Sequence, residues 1–138
     1  MNLASLFENS RHIQEFQAGT TIFAEGTPGD VLYVILSGEV EVSLRGELIE
    51  VLGPGELVGE MALIDPSVRS ATVVAKSDCR LAVINEQRFL YMVQETPYFA
   101  LHVMRVLVQR LRRSLETWPA CEGRNAHLGA VNSLVTSV

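Results

Sequence analysis

The stretch VLYVILSGEVEVSLRGELIEVLGPG, residues 31–55, alternates short apolar runs with turn-forming residues. Residues 31–36, 40–44 and 48–52 are rich in valine, isoleucine and leucine, at the length and composition of strands. Between and after them stand Ser37-Gly38, Arg45-Gly46-Glu47 and Gly53-Pro54-Gly55, residue types that reverse the chain within a few positions. The same texture extends outward in both directions. Residues 21–23, 71–75 and 80–84 read as further strands, and EGTPGD at 25–30 as another turn. Many brief strands with short connections point to an antiparallel sandwich or jelly-roll barrel curled around one core.

Helices flank this block. Residues 3–11, LASLFENSR, carry Leu3, Leu6 and Phe7 at helical spacing. Residues 86–93 read as a short helix, and Thr96-Pro97 supplies an N-cap followed by a first-turn proline for a longer helix reaching about residue 118. On that helix Leu101, Met104, Val108, Leu111, Leu115 and Trp118 follow the 3-4 spacing of a heptad seam. The seam either packs on the barrel or meets a second copy; Val103 and Leu107 leave apolar surface for a second face, which favours a homodimer through residues 97–118. Arg105, Arg110, Arg112 and Arg113 cluster toward the end of the helix, where cations suit its negative pole; they form a solvated face or a phosphate or partner contact. The expected organisation is one domain over residues 1–118 and a short tail over 119–138 that is too small for a DNA-binding module.

Composition narrows the functional classes. With 48% hydrophobic and 20% charged residues in 138, the chain has the makeup of a folded globular protein. No apolar run approaches the roughly 18 residues of a membrane span, and no secretory pattern opens the chain, so a cytoplasmic location is expected. A formal charge of −5 opposes a polyanion, which argues against direct DNA binding. Cys79 and Cys121 form neither a metal knuckle nor a CxxC pair. His12, His102 and His127 lie in unrelated segments, so no metal site is expected, and no Ser-His-Asp or Cys-His set suggests an enzyme.

The chemistry concentrates in GELVGEMALIDPSVRSAT, residues 55–72. Gly59-Glu60 precedes a few good helix formers, so free backbone N–H groups beside a glycine make a nest for an anion. Arg69 follows at the expected start of the next strand, where its guanidinium can meet two phosphate oxygens. A carboxylate beside a bound anion is tolerable when it accepts from a hydroxyl, which suits Glu60 to a sugar 2′-OH. An acceptor for ribose paired with a cation for phosphate specifies a nucleotide; a simple Glu60–Arg69 surface ion pair is the alternative.

GEMAL followed by RSAT resembles the phosphate-binding cassette of the cyclic-nucleotide-binding domain family, with similarity running from about residue 13 to 118 through EGTPGD, Ser37-Gly38 and GPGELVGE. The resemblance implies a mainly β fold, a double-stranded β-helix (jelly-roll) β-roll with a short N-terminal helix and C-terminal helices. It places Glu60 on the ribose hydroxyl and Arg69 on the cyclic phosphate, with Gly59, Met61, Ala62, Ser70 and Ala71 lining the phosphate. Val58 stands where the family usually has an aromatic residue and Val68 where proline is common, while Leu52 and Val58 would wall the base or pack in the core. Ser70 rather than threonine implies cAMP, with cGMP as the alternative. Thr72 is more a strand residue than a ligand, and Arg110 and Ser114 fall where the family places a lid over the base. The implied activity is regulatory: nucleotide capture moves the C-terminal helices and so alters a downstream protein partner.

Overall fold

Residues 31–36 are apolar without alternation, and the computed structural model of the chain, which describes residues 3–64 and 68–116 with the side chains of 63, 64 and 114–116 excepted, shows why. They form strand β3 (Val31–Ser37), on which Leu32, Tyr33, Val34 and Ile35 are all buried, so both faces of the strand are covered. One face looks into the roll. On the other lies α1 (Leu3–Phe7), whose Leu3 and Phe7 are buried and which packs on β3. The helix is shorter than the 3–11 expected from spacing. Ser10 N donates to Phe7 O (3.0 Å) and His12 N donates to Ser10 Oγ (3.2 Å), so Ser10 uses its backbone and hydroxyl to turn the chain rather than to extend the helix.

Among the described residues, eight strands make two four-stranded antiparallel sheets. In the first, β1 (Ile13–Phe16), β8 (Cys79–Asn85), β3 and β6 (Leu57–Val58) lie in the order β1-β8-β3-β6. In the second, β2 (Thr21–Phe23), β7 (Thr72–Ala75), β4 (Val40–Leu44) and β5 (Glu47–Leu52) lie in the order β2-β7-β4-β5. Their inner faces share one cluster: Tyr33, Ile35, Cys79 and Leu81 from the first sheet meet Val40, Leu52, Val73 and Ala75 from the second. The mainly β jelly roll expected from the strand pattern is the observed architecture.

The β4–β5 hairpin closes through Arg45 and Gly46 alone, with Leu44 paired to Glu47. Both central residues have positive φ, 53° and 83°, the backbone of the two-residue turn whose twist matches that of the strands it joins. Farther along, Val42 pairs with Glu50 but Ser43 with Leu48, so Ile49 is the extra residue of a bulge. Two short helices complete this part of the chain: α2 (Met61–Ile64) and α3 (Glu86–Glu95), the latter capped by Asn85 Oδ1, which accepts from Arg88 N at 2.8 Å. The chain divides into two compact units at Glu95, and the second carries α4 (Pro97–Glu116). Among the described residues no helix is long and apolar enough to cross a membrane.

Candidate functional site

Arg69 lies outside β7, which begins only at Thr72, and not at a strand start as its spacing suggested. A different partner holds its backbone. Arg69 N donates to Thr27 O (2.8 Å) and Gly26 N donates to Arg69 O (2.9 Å), so the EGTPGD turn clamps the residue on both sides. The cassette's other end starts where β6 leaves β3: Gly59 takes a φ of 79° and its carbonyl accepts from Ala62 N at 3.1 Å, starting α2. Val58, Glu60 and Ala62 are buried, whereas Met61 is exposed.

The side chain of Arg69 turns inward, and the residue is only 6% exposed. It lies over the Phe23 ring, 4.2 Å from the centroid, and Phe23 in turn stacks on Tyr33, with centroids 6.1 Å apart. Nη1 donates to Val31 O (2.8 Å) and Gly59 O (3.3 Å), which ties the arginine to both β3 and the cassette. Nε is buried and has no hydrogen-bond partner among the described residues. Two glycines create the room. A Cβ at Gly29 would overlap Arg69 Nε and Cζ, and one at Gly59 would lie 2.7 Å from Nη1.

Burial lowers the Arg69 pKa, and nearby Tyr33 and Asp30 partly restore it. Burial likewise raises Tyr33, with Arg69 acting in the opposite sense and Asp30 adding to the rise. A buried cation with an unsatisfied charged donor is costly on its own, and an oxyanion at Nε would supply both the missing acceptor and the missing charge. A phosphate therefore fits these residues: planar donors from Arg69, and a glycine at position 59 where backbone can approach closely.

The structure thus brings Gly59 and Arg69 together and sets Glu60 and Ala62 on the same short segment. Ser70 is exposed and Ala71 half-buried at the entry to β7. Leu52 and Val58 belong to the inner cluster of the roll. Thr72 Oγ1 accepts from Glu25 N (2.9 Å), which gives this hydroxyl a structural task at the edge of the EGTPGD turn. Arg110 is half-buried on α4, in the second unit, and the side chain of Ser114 lies outside the described residues, as does Trp118 of the heptad seam. Among the described residues no group of three or more His, Cys, Asp or Glu is placed to hold a metal ion. Phe23, Gly29 and Asp30 had no assigned role in the sequence; EGTPGD carried the signal for the last two, and nothing local pointed to Phe23.

Residues 13–96 match the family model of the cyclic nucleotide-binding domain. A CRP-like cAMP-activated global transcriptional regulator of Mycobacterium tuberculosis is 32% identical over 105 residues, covering 72% of this chain and 47% of the regulator. The crystal structure of the Thermus thermophilus catabolite activator protein superposes with a TM-score of 0.68 at 33% identity, over 75% of this chain and 51% of that one. An EAL enzyme in its cAMP-bound form superposes with a TM-score of 0.56 at 41% identity, over 75% of this chain and 29% of the enzyme; its cGMP-bound form gives 0.58 at 38%, over 77% and 30%. The chain spans about half the length of the curated regulators it matches. The β-roll, the arginine held between two glycines and the match over residues 13–96 together identify this chain as a member of the cyclic nucleotide-binding domain family.

Proposed function

We propose that this chain is a cAMP-binding regulatory domain in which Arg69 holds the cyclic phosphate and Glu60 the ribose 2′-OH. The observation that carries the proposal is the buried guanidinium of Arg69, fixed by Phe23, Val31 and Gly59 with Nε left without an acceptor among the described residues. Backbone groups of Gly59, Met61, Ala62, Ser70 and Ala71 line the phosphate, Val58 walls the base, and Leu52, Thr72, Arg110 and Ser114 are secondary contacts. The role is regulatory rather than catalytic and needs no metal: phosphate capture orders residues 59–70, and α3 and α4 shift because the two helix positions differ in nucleotide affinity. The shift reaches a protein partner or a second copy bound through residues 97–118. The formal charge of −5 opposes direct DNA contact by this chain, and a cytoplasmic setting supplies the nucleotide.

Isothermal titration with cAMP and cGMP tests the pocket and its preference together. Expected are micromolar or tighter binding of cAMP, weaker binding of cGMP, and a loss of about 100-fold or more in Arg69→Ala, the scale of two charge-assisted hydrogen bonds. A tighter cGMP isotherm would assign the exposed Ser70 hydroxyl to guanine and reverse the selectivity. Folded, ligand-free protein that gives no heat with either nucleotide would leave a protein-interaction module as the better account.

A further inference from the structure

A second cationic recess lies in the same unit, away from the cassette. It is a cleft of about 600 Å³ where β1, β3 and β8 meet the start of α3. That size falls in the range of small-molecule sites, about 300–1,000 Å³. None of Gly59, Glu60 or Arg69 lines it. Its apolar lining is Ile13, Val31 and Val83, and Arg11, Arg88 and Tyr91 stand around them. The remaining lining groups are His12 and the neutral amides of Gln14, Asn85 and Gln87, so no carboxylate faces the two arginines across the cleft.

Arg88 is held in place here. Its backbone N–H is capped by Asn85 Oδ1, and its Nη2 donates to Ser10 Oγ at 3.0 Å, which anchors the guanidinium between α3 and the turn after α1. Its Nε, however, is buried and has no hydrogen-bond partner among the described residues. Among the described residues, Arg69 and Arg88 are the two whose buried side-chain atoms share this condition. A pre-set guanidinium with an unmet donor, a second arginine beside it and no neutralising carboxylate in the lining call for an oxyanion ligand. The apolar lining and the Tyr91 ring call for that oxyanion to be carried on an organic body rather than to be a bare ion.

We propose that this cleft is a second ligand site, separate from the cyclic-nucleotide cassette, which takes a small organic anion bearing a carboxylate or phosphate group on an apolar or aromatic body. Arg88 is its primary anion-binding residue and Arg11 the supporting cation. Val31 connects the two sites: it lines the cleft, and its carbonyl accepts from Arg69 Nη1.

The test is an NMR titration of the isotopically labelled chain with benzoate, phenyl phosphate and uncharged benzamide, with and without saturating cAMP. Expected are saturable shifts of the Val31, Val83 and Asn85 amides and of the Arg88 Nε–H with one or both anions, which also tells carboxylate from phosphate, and none with benzamide. Arg88→Gln should weaken the anion by about tenfold, the scale of one charge-assisted hydrogen bond. Arg11→Gln, at an exposed position, should weaken it several-fold and carries the test should Arg88→Gln not fold. Arg69→Ala should still bind the anion, and Arg88→Gln should still bind cAMP, so the two sites fail separately. Shifts confined to Gly59 and Arg69, an equal response to benzamide, or unchanged affinity in the folded Arg88 or Arg11 variant would overturn the proposal.

Discussion

Arg69 shows how one residue's chemistry depends on neighbours far along the chain. Its charge and its distance from Glu60 were legible in residues 55–72, because a nucleotide site needs both a cation and an acceptor. The Phe23 ring beneath it was not, since a phenylalanine on a short strand looks like any core residue until β2 is placed beside the cassette. Gly29 is the sharper case. No left-handed φ requires glycine there; the guanidinium occupies the space a side chain would take. Gly29→Ala should therefore leave the fold intact while displacing Arg69, and cAMP affinity should fall about 10- to 100-fold, the cost of misplacing one or two charge-assisted bonds. Titration calorimetry beside circular dichroism separates the two effects, and a native-like isotherm would mean that Arg69 does not use this slot when nucleotide binds.

Among the elements, strand positions followed from composition because valine, isoleucine and aromatic runs between glycine turns suit few other structures. Two strands escaped, β1 and β6. β6 is two residues long, too brief for any periodicity, and exists because Leu57 and Val58 can pair with Val34 and Tyr33 of β3. α1 stops early because Ser10 turns the chain. The β4–β5 hairpin carries a testable local cost: Arg45 sits at a φ of 53°, where a β-carbon is disfavoured by about 1 kcal/mol or more and asparagine is tolerated better. Its backbone N–H donates to Glu25 Oε1 at 3.0 Å, a bond independent of its side chain. Arg45→Asn should thus stabilise the fold by about 0.5–1 kcal/mol in urea unfolding, with the slope unchanged. A destabilised variant would show that the arginine side chain makes a larger contribution than the turn geometry.

For the whole molecule, the roll's core unites strands distant in sequence, and the second unit carries a helix whose apolar seam is partly exposed. On α4, Leu101, Met104 and Leu111 of the heptad seam are 36%, 54% and 42% exposed. Pairing of two copies along this seam would bury them, and the proposed dimer predicts a concentration-dependent monomer–dimer equilibrium in sedimentation velocity. Met104→Glu and Leu111→Glu should each shift it to monomer with helix content retained, because a carboxylate at a seam position is desolvated against its own copy. A native chain that sediments as a monomer at every concentration would assign the seam to another occupant.

The sequence by itself determined the class of fold, the approximate strand positions, and the residues proposed to recognise a nucleotide, because each rests on short-range rules: alternation, turn chemistry and the donor or acceptor character of single side chains. Only the tertiary structure decided which surfaces meet. It placed Phe23 under Arg69, put Gly29 against the guanidinium, clamped the arginine with Gly26 and Thr27, and left Arg88, in the lining of a cleft, with a buried donor unmet among the described residues. These are properties of packed space, in which residues distant along the chain share one neighbourhood, and no local pattern records them.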